Sequence, residues 1–389
     1  MMEKKAKVPK LRFPGFAGDW EQKKAKNIFI SIIDKGYSDL AVLSASQEYG
    51  MVLREQIEKN IIHDQKNEVT YKRVMPGQFV IHLRSFQGGF AHSDVEGITS
   101  PAYTIIDFID KSRHDDLYWK YVFTSTKFVQ SLVKITYGIR DGRSISYDDF
   151  KTMSFNVPSY EEQKKIGWFI QRVDNLITLH QRKLTHLQVK KKSLLQKMFP
   201  KKGECVPEIR FPGFEGDWEE RKLGDVVDFL DEQRKPLEAG EREKGIYPYY
   251  GASGIIDYVK SYLFDDELIL LSEDGANIID RNYRVCFLAR GKYWVNNHAH
   301  VMKARAGYCN GFICESLERL NYSTYNTGTA QPKLNQKVCR NILCLVPSYE
   351  EQQRIFMMLS ALDNLITLHQ RKLTHLQTQK KALLQQMFV

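Results

Sequence analysis

The chain is 389 residues long, with a formal net charge of +10, a pI near 9.1, 42% hydrophobic residues and 27% charged residues. That length accommodates two or three domains, and the composition is that of a soluble globular protein with a polyanionic partner. No apolar run approaches the roughly 18 residues of a membrane span, and the N-terminus MMEKKAKVPK lacks the apolar core of a signal peptide, so a cytoplasmic location is expected.

The chain opens on a short arm, Val8 to Trp20, VPKLRFPGFAGDW. Residues 21–156 follow, with short alternating runs such as Gln78 to Leu83 and a glycine-rich turn at Gln87-Gly88-Gly89. A helix is expected from about Asp115 to Val133, and the segment closes on a polar glycine-containing loop, Tyr137 to Ser146. Val157 to Phe199 then reads as one long helix. Ser159 and Glu162 have capping-box spacing, in which the hydroxyl accepts an amide and the carboxylate reaches back, and Pro200 with Gly203 stops the helix.

The arm and the helix then recur. The arm returns as Val206 to Trp218, VPEIRFPGFEGDW, and the long helix as Val346 to Phe388, with Ser348 and Glu351 at its start. About 30 of the 43 positions in the two helix copies are identical. Between them lie residues 219–345, of similar length to 21–156 but little like it. This segment holds Tyr247 to Gly254, the apolar run Leu268 to Leu271, Tyr293 to Val301, and a closing loop from Asn326 to Asn335. Short strands with one or two helices make both segments compact α+β domains. The closing loops suit either approach to a phosphate backbone or a turn that aims the following helix.

A seven-residue register runs through each helix copy. One seam holds Ile170, Ile177, Leu184, Lys191 and Met198, the other Ile166, Val173, His180, Leu187 and Leu194. The second copy repeats them as Leu359, Ile366, Leu373, Lys380 and Met387, and as Ile355, Leu362, His369, Leu376 and Leu383. Five heptads argue for a coiled coil, each helix being a rod of roughly 60 Å. Tethering favours pairing within the chain, in an antiparallel sense, over pairing with a second molecule. His180 and His369 are polar seam residues that fix register rather than bind a ligand or sense pH. The helices carry about +8 of the net charge. Because the second arm follows the first helix directly, the first arm is expected to sit beside the second helix in the same way, its Phe and Trp acting as packing anchors. The result is a pseudo-twofold molecule.

Several chemistries are excluded. No GxxxxGK[ST], GxSxG, HExxH or GxGxxG stands in the chain, and no proline is followed by another proline, which removes an Asn-Pro-Pro-aromatic methylation motif. The cysteines (Cys205, Cys286, Cys309, Cys314, Cys339, Cys344) have no CxxC spacing and are expected to be reduced, mostly buried thiols, with no metal. Asp266, Glu267, Glu273 and Asp274 do not by themselves make a nuclease site. The chain is therefore expected to catalyse nothing.

Two unlike domains alternating with two near-identical helices, each entered by Val-Pro-Ser-Tyr-Glu-Glu-Gln, together with the repeated Arg-Phe-Pro-Gly-Phe arms at 12–16 and 210–214, resemble the specificity (S) subunit of type I restriction-modification enzymes. The runs Tyr247 to Gly254 and Trp294 to Ala299 are also similar to those of target recognition domains. The resemblance implies an arm with target recognition domain 1 over 1–156, a conserved helix over 157–200, an arm with target recognition domain 2 over 201–345, and a second conserved helix over 346–389. Each domain would read one half of an asymmetric, two-part DNA site, with the helices fixing the spacer and docking methyltransferase subunits. S-adenosylmethionine, ATP and magnesium would belong to the modification and restriction subunits, with no cofactor in this chain.

Residues for DNA contact follow from chemistry, since Arg and Lys suit guanine and Asn and Gln suit adenine. They are Arg84, Ser85, Gln87, Arg140 and Arg143 in the first domain, and Asn277, Arg281, Asn282, Asn296, Asn297 and Lys333 in the second. Lys190, Lys191 and Lys192 are candidates for backbone contact. Helix pairing is assigned to Ile170, Val173, Ile177, His180, Leu184, Leu187, Leu359, Leu362, Ile366, His369, Leu373 and Leu376. The rival reading is a coiled-coil adaptor that binds other proteins through its globular domains.

Overall fold

The computed structural model describes residues 8–46, 49–56, 65–82, 89–132 and 145–388. They fall into two compact units, one built from the chain up to Arg182 plus the stretch from Gln370 onward, the other from Lys183–His369. The first long helix, Tyr160–Lys197, thus gives its head to the first unit and its tail to the second, and the second long helix, Tyr349–Gln386, does the reverse.

In the first unit a four-stranded antiparallel sheet has the spatial order Phe29–Ile32, Thr104–Phe108, Phe79–Ile81, Phe90–His92. In the second, the order is Val227–Phe229, Ala299–Ala304, Leu268–Ser272, Cys286–Ala289. Both place the first strand beside the fourth, then the second, then the third, so two sequences with little in common take the same topology. The central strands are buried on both faces. Ile269 and Leu271 enter one core while Leu268 and Leu270 enter another, which explains an unbroken apolar run where alternation would mark a half-exposed strand.

Each domain is closed by a two-stranded clasp joining its start to its end. Glu21–Lys24 pairs with Ser154–Val157, Glu21 opposite Val157, and Glu219–Lys222 pairs with Leu343–Val346, Glu219 opposite Val346. The clasp delivers Pro158 and Pro347 to the helix starts. The second unit adds another sheet of four strands, in which Lys244–Gly251 and Gly254–Val259 form a hairpin and Lys244–Gly251 runs parallel to Lys292–Val295.

The expected helix near 115–133 is two helices, Asp116–Thr124 and Thr126–Leu132. Ser125 separates them in an extended conformation, its hydroxyl donating to the Val122 carbonyl at 2.7 Å. The helix Asp116–Thr124, the first domain helix, is capped by Asp115, which accepts the Tyr118 amide at 2.8 Å. Its counterpart, the second domain helix, is Asn310–Glu318.

The capping boxes form only in part. Ser159 and Ser348 accept the amides of Glu162 and Glu351 at 3.4 Å, but the carboxylates do not turn back to the cap. Glu162 instead receives Arg12 at 2.7 and 2.8 Å, and Glu351 receives Arg210 at 2.8 and 2.8 Å, each carboxylate being 1% exposed. A buried carboxylate takes the guanidinium because a two-point charge-assisted bond outweighs a single backbone amide.

The arms also grip the opposite helix ends. The Leu11 amide donates to the Gln386 carbonyl and the Ile209 amide to the Lys197 carbonyl, at 3.0 and 2.8 Å. Trp20 joins Met387 and Phe388 in the core of the first unit; Trp218 joins Met198 and Phe199 in that of the second. The arm aromatics are therefore packing anchors, as the repeat suggested.

Candidate nucleic-acid interface

In the second unit three loops meet at one end of the sheet. The strand Leu268–Ser272 runs into Glu273 to Ala276, the turn Asn296 to His298 precedes Ala299–Ala304, and the closing loop runs from Asn326 to Asn335. Backbone bonds stitch them together: Glu273 donates to His298, Gly275 to Pro332, and Leu334 to Glu273, at 2.9, 3.0 and 2.7 Å. Within the closing loop, the Asn326 side chain accepts the amides of Gly328 and Lys333, both at 2.9 Å.

Beneath the loops lies a buried charge network. His300 is 1% exposed, with Nδ1 2.7 Å from Asp231 and Nε2 2.7 Å from the Leu334 carbonyl. An imidazole that faces a carboxylate and a carbonyl donates from both nitrogens, and so carries a proton on each. Burial alone would lower its pKa, but the hydrogen bonds to Asp231 and Cys339 and the nearby negative charge raise it to about 10. Burial would likewise raise Asp231, but His300, the Val301 amide and Arg234 hold it below the usual carboxylate range. Arg234 completes the network at 2.8 Å from Glu273 and 2.7 Å from the Ala299 carbonyl.

Above this network, Asn297, His298, Gln331 and Lys333 stand at the surface. Lys333 has a side chain 47% exposed and lies 3.5 Å from Glu273; His298, half exposed, pairs with Asp274 at 2.9 Å. A polar surface on stitched loops, rich in amide side chains, is suited to hydrogen-bonding base edges or phosphates.

The sequence candidates of this domain separate by exposure. Asn282, Asn297 and Lys333 are exposed, and the structure brings Asn297 and Lys333 to the same loop cluster. Asn296 is 5% exposed, and its Oδ1 accepts the His298 amide at 2.8 Å, so it shapes the turn from within. Asn277 spends both ends of its carboxamide on the Tyr283 backbone, at 2.8 and 3.1 Å. Arg281 holds a left-handed backbone, φ 56°, and turns its guanidinium to the carbonyl and carboxylate of Glu318. His298 and Gln331 are exposed beside Asn297 and Lys333, in runs that the sequence marks only as polar loop. Arg84, Ser85, Gln87, Arg140 and Arg143 lie outside the described residues.

On the helices the seam residues are buried or half-buried. Ile166, Ile170 and Val173 are 2%, 0% and 9% exposed, Ile355, Leu359 and Leu362 are 1%, 0% and 8%, and Leu184 and Leu373 are 4% each. Ile177, His180, Leu187, Ile366, His369 and Leu376 are half-buried. The seam lysines are paired: Lys191 with Asp363 at 2.7 Å in the second unit, Lys380 with Asp174 at 2.6 Å in the first. Lys191, with a side chain only 12% exposed, is thereby withdrawn from the proposed backbone contact, whereas Lys190 and Lys192 are exposed. Among the described residues no helix is long and apolar enough to cross a membrane.

Comparison with known proteins agrees with this organisation. The type I restriction modification DNA specificity domain matches the chain twice, over residues 17–189 and 215–378. A putative type I restriction enzyme specificity subunit from Haemophilus influenzae is 33% identical over 153 residues, 39% of each chain. The EcoprrI specificity subunit from Escherichia coli is 30% identical over 125 residues, 32% of this chain and 30% of its own length. These alignments thus span well under half of either relative. The crystal structure of a type I restriction-modification S subunit from M. genitalium has the same fold, with a TM-score of 0.67 at 15% identity over 98% of this chain and 99% of that one. With both halves matched by one domain description, the chain belongs to the type I restriction modification DNA specificity family.

Proposed function

We propose that this chain is the sequence-reading subunit of a type I restriction-modification complex, each globular domain reading one half of a split, asymmetric DNA site. The observation that carries this reading is the repetition of one strand order on two unlike sequences, each closed on near-identical helices. A repeated framework that carries two unlike domains is what a two-part reader of an asymmetric sequence requires. The exposed polar loops of the second domain and the chain's net charge of +10 support a DNA partner.

In this reading the arm and first domain occupy 1–156, the first conserved helix 157–200, the second arm and domain 201–345, and the second helix 346–389. The long helices form an antiparallel coiled coil that sets the spacer, with methyltransferase subunits docking on the conserved parts. The Lys191–Asp363 and Lys380–Asp174 pairs support the antiparallel sense, because residue 191 of one helix and residue 174 of the same helix each meet the other copy at the opposite end of its length. Asn282, Asn297 and Lys333, with Arg84, Ser85, Gln87, Arg140 and Arg143 in the first domain, contact DNA. The chain itself holds no cofactor and catalyses no step; S-adenosylmethionine, ATP and magnesium serve the partner subunits.

The test is co-expression with a matching modification subunit in a methylation-free bacterium, followed by genome-wide mapping of N6-methyladenine. A split motif is expected, with one half altered by Asn297 and Lys333 variants and the gap altered by a four-residue insertion in one long helix. A stable complex that produces no split motif would instead favour the coiled-coil adaptor.

A further inference from the structure

The two helix copies are identical from Asp174 to Gln188 and from Asp363 to Gln377, yet diverge over 164–173 and 353–362, KKIGWFIQRV against QRIFMMLSAL. The divergent stretch is where each long helix meets its own domain. A common hook precedes it. Gln163 accepts the Asp115 amide at 3.1 Å and donates to the Arg113 carbonyl, also at 3.1 Å, while Gln352 accepts the Cys309 amide at 3.0 Å and donates to the Gly307 carbonyl at 3.5 Å. Asp115 and Cys309 are the cap positions of the two domain helices, so the same glutamine holds the same point of each domain.

One turn further on the contacts become opposites. In the first unit the long helix carries Gly167, and a Cβ there would lie 2.6 Å from the Tyr118 nitrogen, 2.7 Å from Asp115 Oδ1 and 3.0 Å from the Leu117 carbonyl carbon. Those are backbone atoms and the cap itself, which cannot swing away. In the second unit the corresponding long-helix residue is Phe356, and the glycine has moved to the domain helix as Gly311, where a Cβ would overlap the Phe356 ring. Leu117 and Gly311 are each the second residue of their domain helix. Large and small have exchanged sides of the crossing.

A second divergent position agrees. Gln171 accepts the Tyr121 hydroxyl at 3.0 Å, and the corresponding residue of the other copy, Ser360, is two heavy atoms shorter. At the position of Tyr121 the second domain helix has Glu315, which takes Arg284 at 2.7 Å instead.

We propose that Gly167 and Phe356 are matched to their own domains, so that the two domain–helix contacts are not interchangeable even though the rest of the helices is. The first domain requires glycine at this crossing, and the second requires phenylalanine. The functional exchange unit is accordingly a domain together with the first two to three turns of its long helix. This holds whatever the domains bind.

The test uses the full-length chain. Residues 219–345 are replaced by a second copy of 21–156, placing the first domain ahead of the second long helix, with and without Phe356→Gly; the same substitution is made in the unaltered chain. Melting temperature and resistance to limited proteolysis are measured. Phe356→Gly is expected to raise the melting temperature of the chimera by several degrees, despite the poor helix propensity of glycine, and to lower that of the unaltered chain. In the unaltered chain, Gly311→Ala is expected to be destabilising and partly rescued by Phe356→Ala. The proposal is overturned if Phe356→Gly lowers or leaves unchanged the stability of the chimera, if both chimeras fail to fold, or if the effects of Gly311→Ala and Phe356→Ala simply add.

Discussion

Lys191 of the first long helix reaches Asp363 of the second with both carboxylate oxygens at 2.7 Å, at a seam position where an apolar residue would ordinarily sit. Glu315 of the second domain lies 3.8 Å from the same ammonium, so one lysine ties two helices and a domain together. Removing its partner leaves a poorly solvated cation. Asp363→Ala is expected to destabilise the second unit by about 1–3 kcal/mol, with the apolar pair Lys191→Met/Asp363→Leu recovering part of the loss. Chemical denaturation of the single and double variants measures it; simple additivity would refute the coupling.

The arms offer a larger effect. Glu351 is nearly inaccessible and is neutralised by Arg210 through two parallel bonds. Arg210→Ala strands a buried carboxylate and is expected to cost about 3–5 kcal/mol, whereas the pair Arg210→Met/Glu351→Leu costs far less. Arg12→Ala does the same in the first unit. Protease sensitivity within residues 206–218 reports arm release directly.

His300 gives the second domain a defined alkaline weakness. Its folded pKa of about 10 lies above the ordinary value of 6.5. A raised pKa contributes stability that is complete below about pH 6.5 and is lost progressively as pH rises to about 10, the slope following the difference in bound protons. The melting temperature of the second domain is therefore expected to fall across that window. In His300→Gln, less stable at neutral pH, the fall should be shallower; an unchanged slope would place the titration elsewhere.

DNA binding separates two kinds of contact. If Lys333 holds a phosphate, Lys333→Ala weakens all sequences alike and reduces the slope of log K against log salt by about 1. If Asn297 reads a base edge, Asn297→Ala costs about 1–3 kcal/mol on the preferred half-site and little elsewhere. Titrations at several salt concentrations, with matched and altered half-sites, distinguish them.

The arms and the long helices were legible because repetition is written in residue identity. Lys191 and Lys380 were visible as breaks in an apolar register, but nothing local pointed to Asp363 and Asp174, which lie in the other helix. Glu162 and Glu351 look like capping-box partners at short range; their guanidinium partners stand 150 and 141 residues away. The candidate site was less legible. Asparagine serves turn backbones as readily as ligands, and Asn277 and Asn296 took the first role while Asn297, one residue on, was left exposed. Composition cannot separate these outcomes, since they depend on which face of a turn is solvated.

The core that takes Trp20, Phe29 and Trp119 also takes Met387 and Phe388. During synthesis, then, the domain made first is completed last. At about 5–20 residues per second its hydrophobic face waits on the order of tens of seconds after residue 156 emerges before its final pieces leave the ribosome. The second domain receives Met198 and Phe199 from chain already made and waits only for Ile355 and Leu359, early in its own long helix. Deleting Met387 and Phe388 would thus be felt in the first domain, whose own sequence the deletion leaves untouched.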